Sequence, residues 1–182
     1  GLDWHNGNRT VLVDQRLTGA LLGMTLHTTP AEIYRALIES TAFGARVIME
    51  RFEEYDVEVE RTVNCGGIPF RNDLVMQIYA DVMGQPMHVS RSEQTPALGA
   101  AVAGTVVAGE NEGGHPDFDH AIDAMTDTRE EVYEPDPAHQ EVYDRLFALY
   151  RRVHDAFGVK GTEDDLYDVM KTLLTIRDEV TN

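Results

Sequence analysis

The chain has 182 residues, 42% of them apolar, enough for one compact domain with a buried core. Its 32 acidic residues outnumber 15 basic ones for a net charge of -17, which excludes a nucleic-acid partner, because phosphate binding needs a basic face. The single cysteine, Cys65, excludes an internal disulfide; with no bilayer-length apolar run and no basic-then-apolar leader at the start, a soluble, cytoplasmic chain with no membrane partner is expected.

Lys160 and Lys171 are the only lysines, and arginine combined with excess acid suits a salt-adapted or high-temperature source. Stability should then rise from low to molar salt, and a flat stability curve would count against the salt-adapted version.

Gly1 to Asn8 set Trp4 among His5, Asn6, Gly7 and Asn8, a polar, turn-rich stretch that predicts an exposed loop entering in mid-fold. The chain does not start with methionine, and its coding sequence is expected to continue upstream. A short strand is predicted around Gly19 to Gly23. Thr29-Pro30-Ala31-Glu32 then forms a capping box with proline in the first helical position, so a helix starts there. It is predicted to run to about Tyr55, with Ile33, Leu37, Thr41, Gly44, Ile48 and Phe52 recurring every three or four residues on one buried face. Gly44 weakens that helix by about 1 kcal/mol relative to alanine, so its expected use is to let another backbone pack closely.

Arg61 to Cys65 predicts a strand that stops at Gly66-Gly67. A helix follows from about Phe70 to Met83, carries Leu74, Val75, Ile78 and Val82, and is stopped by Gly84 and Pro86. Paired glycines at a strand end let a ligand approach the backbone with no Cβ in the way, and the next helix offers unpaired N–H groups to a polar guest. An α/β fold binds nucleotides at such a place, although a tight strand-to-helix turn with no ligand gives the same pattern. Cys65 has no base near it in sequence and is expected as a small buried thiol.

Met87 to Ser90 predicts a second strand. Thr95 is expected to cap a helix opened by Pro96, whose small residues from Ala97 to Gly104 would let it sit very close to its neighbours. Strand, helix, strand, helix at this spacing implies a parallel, right-handed crossover and an α/β core.

From Glu110 to Pro135 the chain is acidic and bears glycine, a surface loop with one short helix near Phe118 to Met125. His115, Asp117, Asp119 and His120 are metal-ligating types without the fixed helical spacing of a zinc site, so a solvated loop is expected rather than a metal. Two helices close the chain. One runs from Pro137 to Phe157 with Val142, Leu146, Leu149 and Val153 on a stripe. The other runs from Glu163 to about Glu179 with Leu166, Met170 and Leu173. Tyr143, Phe147 and Tyr150 are expected in the core or a helix seam rather than facing a partner.

No Gly-rich loop ending in Lys-Ser or Lys-Thr occurs, and no spacing of serine, histidine and aspartate marks a nucleophile set. The residues support half of a site. Gly66-Gly67 followed by Arg71-Asn72 resembles the adenosine motif of the FGGY carbohydrate kinases, and Glu93-Gln94-Thr95-Pro96-Ala97-Leu98-Gly99-Ala100-Ala101 resembles the segment that follows it. Gly19-Ala20-Leu21-Leu22-Gly23-Met24 with Glu32-Ile33-Tyr34-Arg35-Ala36-Leu37-Ile38-Glu39 is similar to the second signature of that family. Leu2-Asp3-Trp4-His5-Asn6-Gly7-Asn8-Arg9-Thr10 and Glu39-Ser40-Thr41-Ala42-Phe43-Gly44-Ala45-Arg46 look most like its L-ribulokinase branch.

The resemblance implies an actin-like, ribonuclease-H-like α/β domain, incomplete at its N-terminal end. Residues 1–109 would form its major part, 110–135 an acidic surface loop and 136–182 a helical extension. It also implies transfer of the γ-phosphate of magnesium-bound ATP to L-ribulose or a related ketopentose, in arabinose catabolism, with this chain as the ATP side of a cleft. Gly66 and Gly67 would lie against the adenosine, and Arg71 or Asn72 would contact the base or ribose. The catalytic aspartate, the phosphate-binding hairpin, the magnesium contacts and most sugar contacts would precede Gly1, leaving this chain alone inactive. Another FGGY kinase, such as one for xylulose, and a non-catalytic actin-like module that binds nucleotide or a partner stay open, as does the oligomeric state, a homodimer included.

Overall fold

The computed structural model describes residues 1–163 and 165–181. Among the described residues the α-helices and strands follow in chain order, with one short 3-10 helix (Glu110–Glu112) besides: α1 (Pro30–Glu54), β1 (Thr62–Asn64), α2 (Asp73–Met83), β2 (Met87–Ser90), α3 (Thr95–Ala108), α4 (Phe118–Met125), β3 (Thr128–Tyr133), α5 (Pro137–Gly158) and α6 (Val169–Thr181). They form two compact units. One combines Gly1–Val59 and Ile78–Gln85 with the described residues from Pro135 on, and the other combines Glu60–Gln77 with Pro86–Glu134.

The first unit is helical, and α1 starts where its capping box predicts. The Thr29 hydroxyl accepts from the Glu32 N–H at 3.3 Å while the Glu32 carboxylate accepts from the Thr29 N–H at 2.6 Å. The buried face of α1 is Ser40, Ala42, Phe43 and Val47, rotated from the predicted stripe, in which Thr41 and Phe52 are exposed. Ser40 tolerates burial because its hydroxyl donates back to the Leu37 carbonyl at 2.7 Å. Asp136 caps α5, its carboxylate accepting from the Ala138 N–H at 2.8 Å. The buried Asp81 carboxylate in turn accepts from the Asp136 N–H at 2.8 Å.

Tyr143, Phe147 and Tyr150 are buried on α5, as their helical spacing predicts, and Phe43 of α1 packs among them with ring centroids 5.3 to 6.1 Å away. Arg35 donates to the Glu39 carboxylate at 2.8 Å and to the Tyr143 hydroxyl at 3.0 Å, and that hydroxyl donates to Glu39 at 2.9 Å. The tyrosine's polar end is therefore satisfied where its ring is buried.

Further sequence expectations for this unit need correction. The segment 1–8 is not an exposed loop, because Leu2 and Trp4 are buried in the core and only their polar neighbours suggested otherwise. The strand predicted at Gly19 to Gly23 is reduced to a single antiparallel bridge between Leu2 and Ala20. What approaches Gly44 is a side chain rather than a backbone, for a Cβ there would lie 2.5 Å from the Asp3 carboxylate. The last helix also starts later than predicted, at Val169, with part of the predicted stretch, Asp164, outside the described residues. The Asp165 carboxylate takes the Tyr167 N–H at 2.8 Å, a local turn that competes with helix.

Asp3 is half-buried, and loss of water pushes its carboxyl above the usual aspartate range despite a 3.4 Å hydrogen bond from the Tyr150 hydroxyl. The folded chain thus binds this proton more tightly than the unfolded one. The stability this contributes is full below the unfolded-chain value and is lost as pH rises through the folded one. Asp3→Asn cannot ionise, so its stability relative to the parent should rise as pH climbs from the ordinary aspartate value through the raised folded one and then level off. Urea midpoints that move in parallel for the two chains across that window would rule this out.

The second unit carries a three-stranded sheet in the order β1-β2-β3. β1 and β2 are parallel, pairing Thr62 with Met87 and Asn64 with Val89, as the strand-helix-strand spacing predicts. β3 runs antiparallel to β2, pairing Met87 with Tyr133 and Ser90 with Thr128. It lies inside the acidic stretch read as loop and helix, where α4 has the predicted bounds. Residue Gln94, not Thr95, is the N-cap of α3. Ala97, Gly99, Ala100, Ala101 and Gly104 of that helix are exposed and Val102 is buried, while α3 lies close against α4, where the Thr105 hydroxyl approaches the Met125 sulfur at 3.5 Å.

Candidate functional site

β1 ends at Asn64, whose side-chain amide donates to the His88 carbonyl at 3.2 Å and so ties the strand end to β2. The chain then leaves the sheet. Cys65 is exposed, which corrects the buried thiol expected from sequence; the strand stops one residue earlier than predicted, and the side chain falls on the turn. Gly66 has φ +90°, a backbone state that L side chains rarely adopt, whereas Gly67 does not need one. A Cβ at either glycine would meet nothing within 4 Å. The space next to both is open, and the paired glycines are not sealed in the interior.

The turn closes with the Arg71 N–H on the Ile68 carbonyl at 3.0 Å, and α2 begins at Asp73. Asn72 caps that helix. Its side-chain carbonyl accepts from the Val75 N–H at 3.2 Å, which satisfies one of the free donors of the first turn. Arg71 is exposed and its guanidinium forms no ion pair among the described residues. The structure thus brings Gly66, Gly67, Arg71 and Asn72 together on one short connection, with Arg71 uncommitted and Asn72 committed to its helix.

Two residues that sequence reasoning passed over hold this connection. The Arg129 guanidinium carbon lies 3.9 Å from the centroid of the Phe70 ring, and the Tyr133 hydroxyl donates to the Asp73 carboxylate at 2.9 Å. Removal from water, helped by Asp73, pushes Tyr133 up to about 12, so it remains a donor at neutral pH. The Val132-Tyr133 pair, suited to a strand, was the available signal.

Of the metal-ligating types near 115–120, Asp117 caps α4. It accepts from the His120 N–H at 2.9 Å and faces the His120 ring nitrogen at 2.7 Å. Among the described residues no group of three or more His, Cys, Asp or Glu could hold a metal ion. Nor, among those residues, is any helix long and apolar enough to cross a membrane.

The family model for the C-terminal domain of the FGGY family of carbohydrate kinases matches residues 2–108. A ribulokinase from Halalkalibacterium halodurans is 47% identical over 176 residues, which is 97% of this chain and 30% of that protein. Among solved structures, a xylulose kinase from Rhodospirillum rubrum is similar with a TM-score of 0.66 at 29% identity, covering 86% of this chain and 30% of the kinase. A gluconate kinase from Lactobacillus acidophilus, at 22% identity, shares the fold with a TM-score of 0.71 over 87% of this chain and 31% of its own. These likenesses bear out the α/β, actin-like reading of the fold. The chain spans about 30% of the length of the curated ribulokinases it matches.

Proposed function

The chain belongs to the FGGY family of carbohydrate kinases, as part of the C-terminal domain, and from that premise we propose that it forms the nucleotide side of an ATP-dependent ribulokinase. The reaction is ATP plus L-ribulose to ADP plus L-ribulose 5-phosphate, in arabinose catabolism in the cytoplasm. The observation that supports the nucleotide assignment is the open space beside Gly66 and Gly67 at the end of a parallel strand, on the turn that leads to the helix starting at Asp73.

In this reading the adenosine lies against the two glycine backbones, where a side chain would occupy its place. Arg71, whose guanidinium forms no ion pair among the described residues, is the residue that reaches the base or ribose; Asn72 has its carbonyl oxygen on the α2 cap and only its amide N–H groups to offer. Catalysis then follows from positioning: closure over the nucleotide excludes water and aligns the sugar hydroxyl with the γ-phosphate. Magnesium, when bound to ATP, offsets charge on the transferring phosphoryl group; among the described residues no group of three or more His, Cys, Asp or Glu could hold a metal ion, and no step here runs through it. The base, the phosphate contacts and most sugar contacts are assigned to the part of the kinase that this chain does not span. By itself the chain should transfer no phosphate.

Purified full-length kinase supplied with ATP and either L-ribulose or D-xylulose, with ADP release followed, decides the assignment. A kcat/KM clearly higher for L-ribulose supports it. Preference for D-xylulose would favour the second reading, a xylulose kinase, for which the 29% identity to such an enzyme speaks. No ADP release with any ketopentose would favour a non-catalytic module.

A further inference from the structure

The connection between β1 and α2 has few ties of its own. Between Cys65 and Asn72 the backbone bond from Arg71 to Ile68 and the Asn72 cap are its main internal constraints, and Gly66 gives it extra freedom. Two side chains of β3 close on it. Arg129 and Tyr133 stand on either side of a register irregularity in the β2–β3 pairing, and both reach the connection. Arg129 covers the ring of Phe70 and Tyr133 binds the carboxylate of Asp73, the residues immediately before and after Arg71-Asn72. The grip therefore brackets the one uncommitted cation of the turn.

We propose that Arg129 and Tyr133 are positioning residues for the nucleotide site, holding the turn so that Gly66, Gly67 and Arg71 meet the adenosine in one arrangement. The inference rests on the nucleotide reading above. Neither side chain touches the nucleotide; each acts through Phe70 or Asp73. A turn ordered before binding loses less freedom when the ligand arrives, and that difference appears in nucleotide affinity rather than in the chemical step. β3 thus earns a role that its place two strands away from β1 in the sheet order does not suggest.

The experiment uses full-length kinase with Tyr133→Phe, Arg129→Met and Arg129→Lys. Gly67→Val serves as the reference for the nucleotide site, and Arg91→Met, which removes the exposed pair with Asp127, serves as the reference for general loosening of the unit. Tyr133→Phe and Arg129→Met should each raise the KM for ATP about threefold to tenfold while kcat and the sugar KM stay within about twofold; Arg129→Lys, which keeps a cation but loses the planar stack, should fall between. Hydrogen exchange of the amides from Gly66 to Asn72 should quicken in the same variants while that of β2 does not. If Arg129→Met fails to fold, Tyr133→Phe, which removes one hydroxyl, still decides.

An unchanged ATP KM in the β3 variants alongside a raised one in Gly67→Val would overturn the positioning role and leave the nucleotide reading standing. Unchanged values in all of them would remove both. A rise in Arg91→Met equal to that in Tyr133→Phe would assign the effect to loosening of the whole unit and likewise overturn the inference.

Discussion

Replacing Gly67 with valine in the complete kinase should raise the KM for ATP by about tenfold or more, each tenfold being about 1.4 kcal/mol of lost binding, and leave the sugar KM close to the parent value. The physical basis is the empty space at that position. A Cβ on Gly67 meets no atom of the chain within 4 Å, and its backbone does not sit in the left-handed region, so the fold has no reason to resist the new side chain. Its thermal midpoint should therefore stay near the parent's or rise slightly, because a valine in the unfolded chain has less freedom to lose than a glycine. A loss confined to nucleotide affinity in a protein of unchanged stability can only come from a guest. Gly66 gives the contrast. With φ +90°, even alanine there strains the backbone by about 1–2 kcal/mol, so Gly66→Ala should lower the midpoint as well as the affinity. Steady-state kinetics with ATP and sugar varied separately, next to thermal melts, read both effects, and an ATP KM unmoved by Gly67→Val removes the adenosine from this turn.

The largest expected loss of stability comes from the first unit. Phe43→Ala should cost about 3–5 kcal/mol, because the side chain is 5% exposed and packs against three aromatic rings of α5. At about 2–4 °C per kcal/mol for a chain of this size, the thermal midpoint should fall by roughly 6–20 °C. Phe43→Leu keeps more of the volume and should fall about half as far. Urea unfolding followed by tryptophan fluorescence suits the measurement, since Trp4 is buried in the same cluster. A loss below about 1 kcal/mol for Phe43→Ala would mean that α1 and α5 are not joined by this seam.

Start signals with their own chemistry were legible in the sequence. Thr29 with Glu32, and Asp136 before Pro137, each supply an oxygen to free backbone donors within three residues, and both helices begin where those residues stand, whereas Thr95 is not the cap of α3 and Thr162 does not start α6, which begins at Val169. The strand-glycine-helix order that locates the candidate turn is equally local. What depended on distant partners was harder to read. β3 gains its place only by pairing with β2, some forty residues earlier, and Glu130-Glu131 hide its pattern within an acidic stretch. Leu2 and Trp4 are core residues among polar neighbours, and their burial is decided by α1 and α5. The same limit applies to the candidate site. Gly66, Gly67, Arg71 and Asn72 were visible as a motif, whereas the capping bond of Asn72 and the contacts of Arg129 with Phe70 and of Tyr133 with Asp73 are hydrogen bonds and a ring contact that no spacing encodes.

The two compact units interleave along the chain, one built from three stretches and the other from two, with α2 passing from the second to the first between Gln77 and Ile78. No single cut in the gene can then release either unit whole. Shortening the chain from its N-terminal side would strip Leu2, Trp4 and Phe43 from a core whose other half comes from α5, more than a hundred residues later. Such distant closures must form before the core repays them, so this piece of the kinase should acquire its structure slowly and all together rather than segment by segment as it is synthesised.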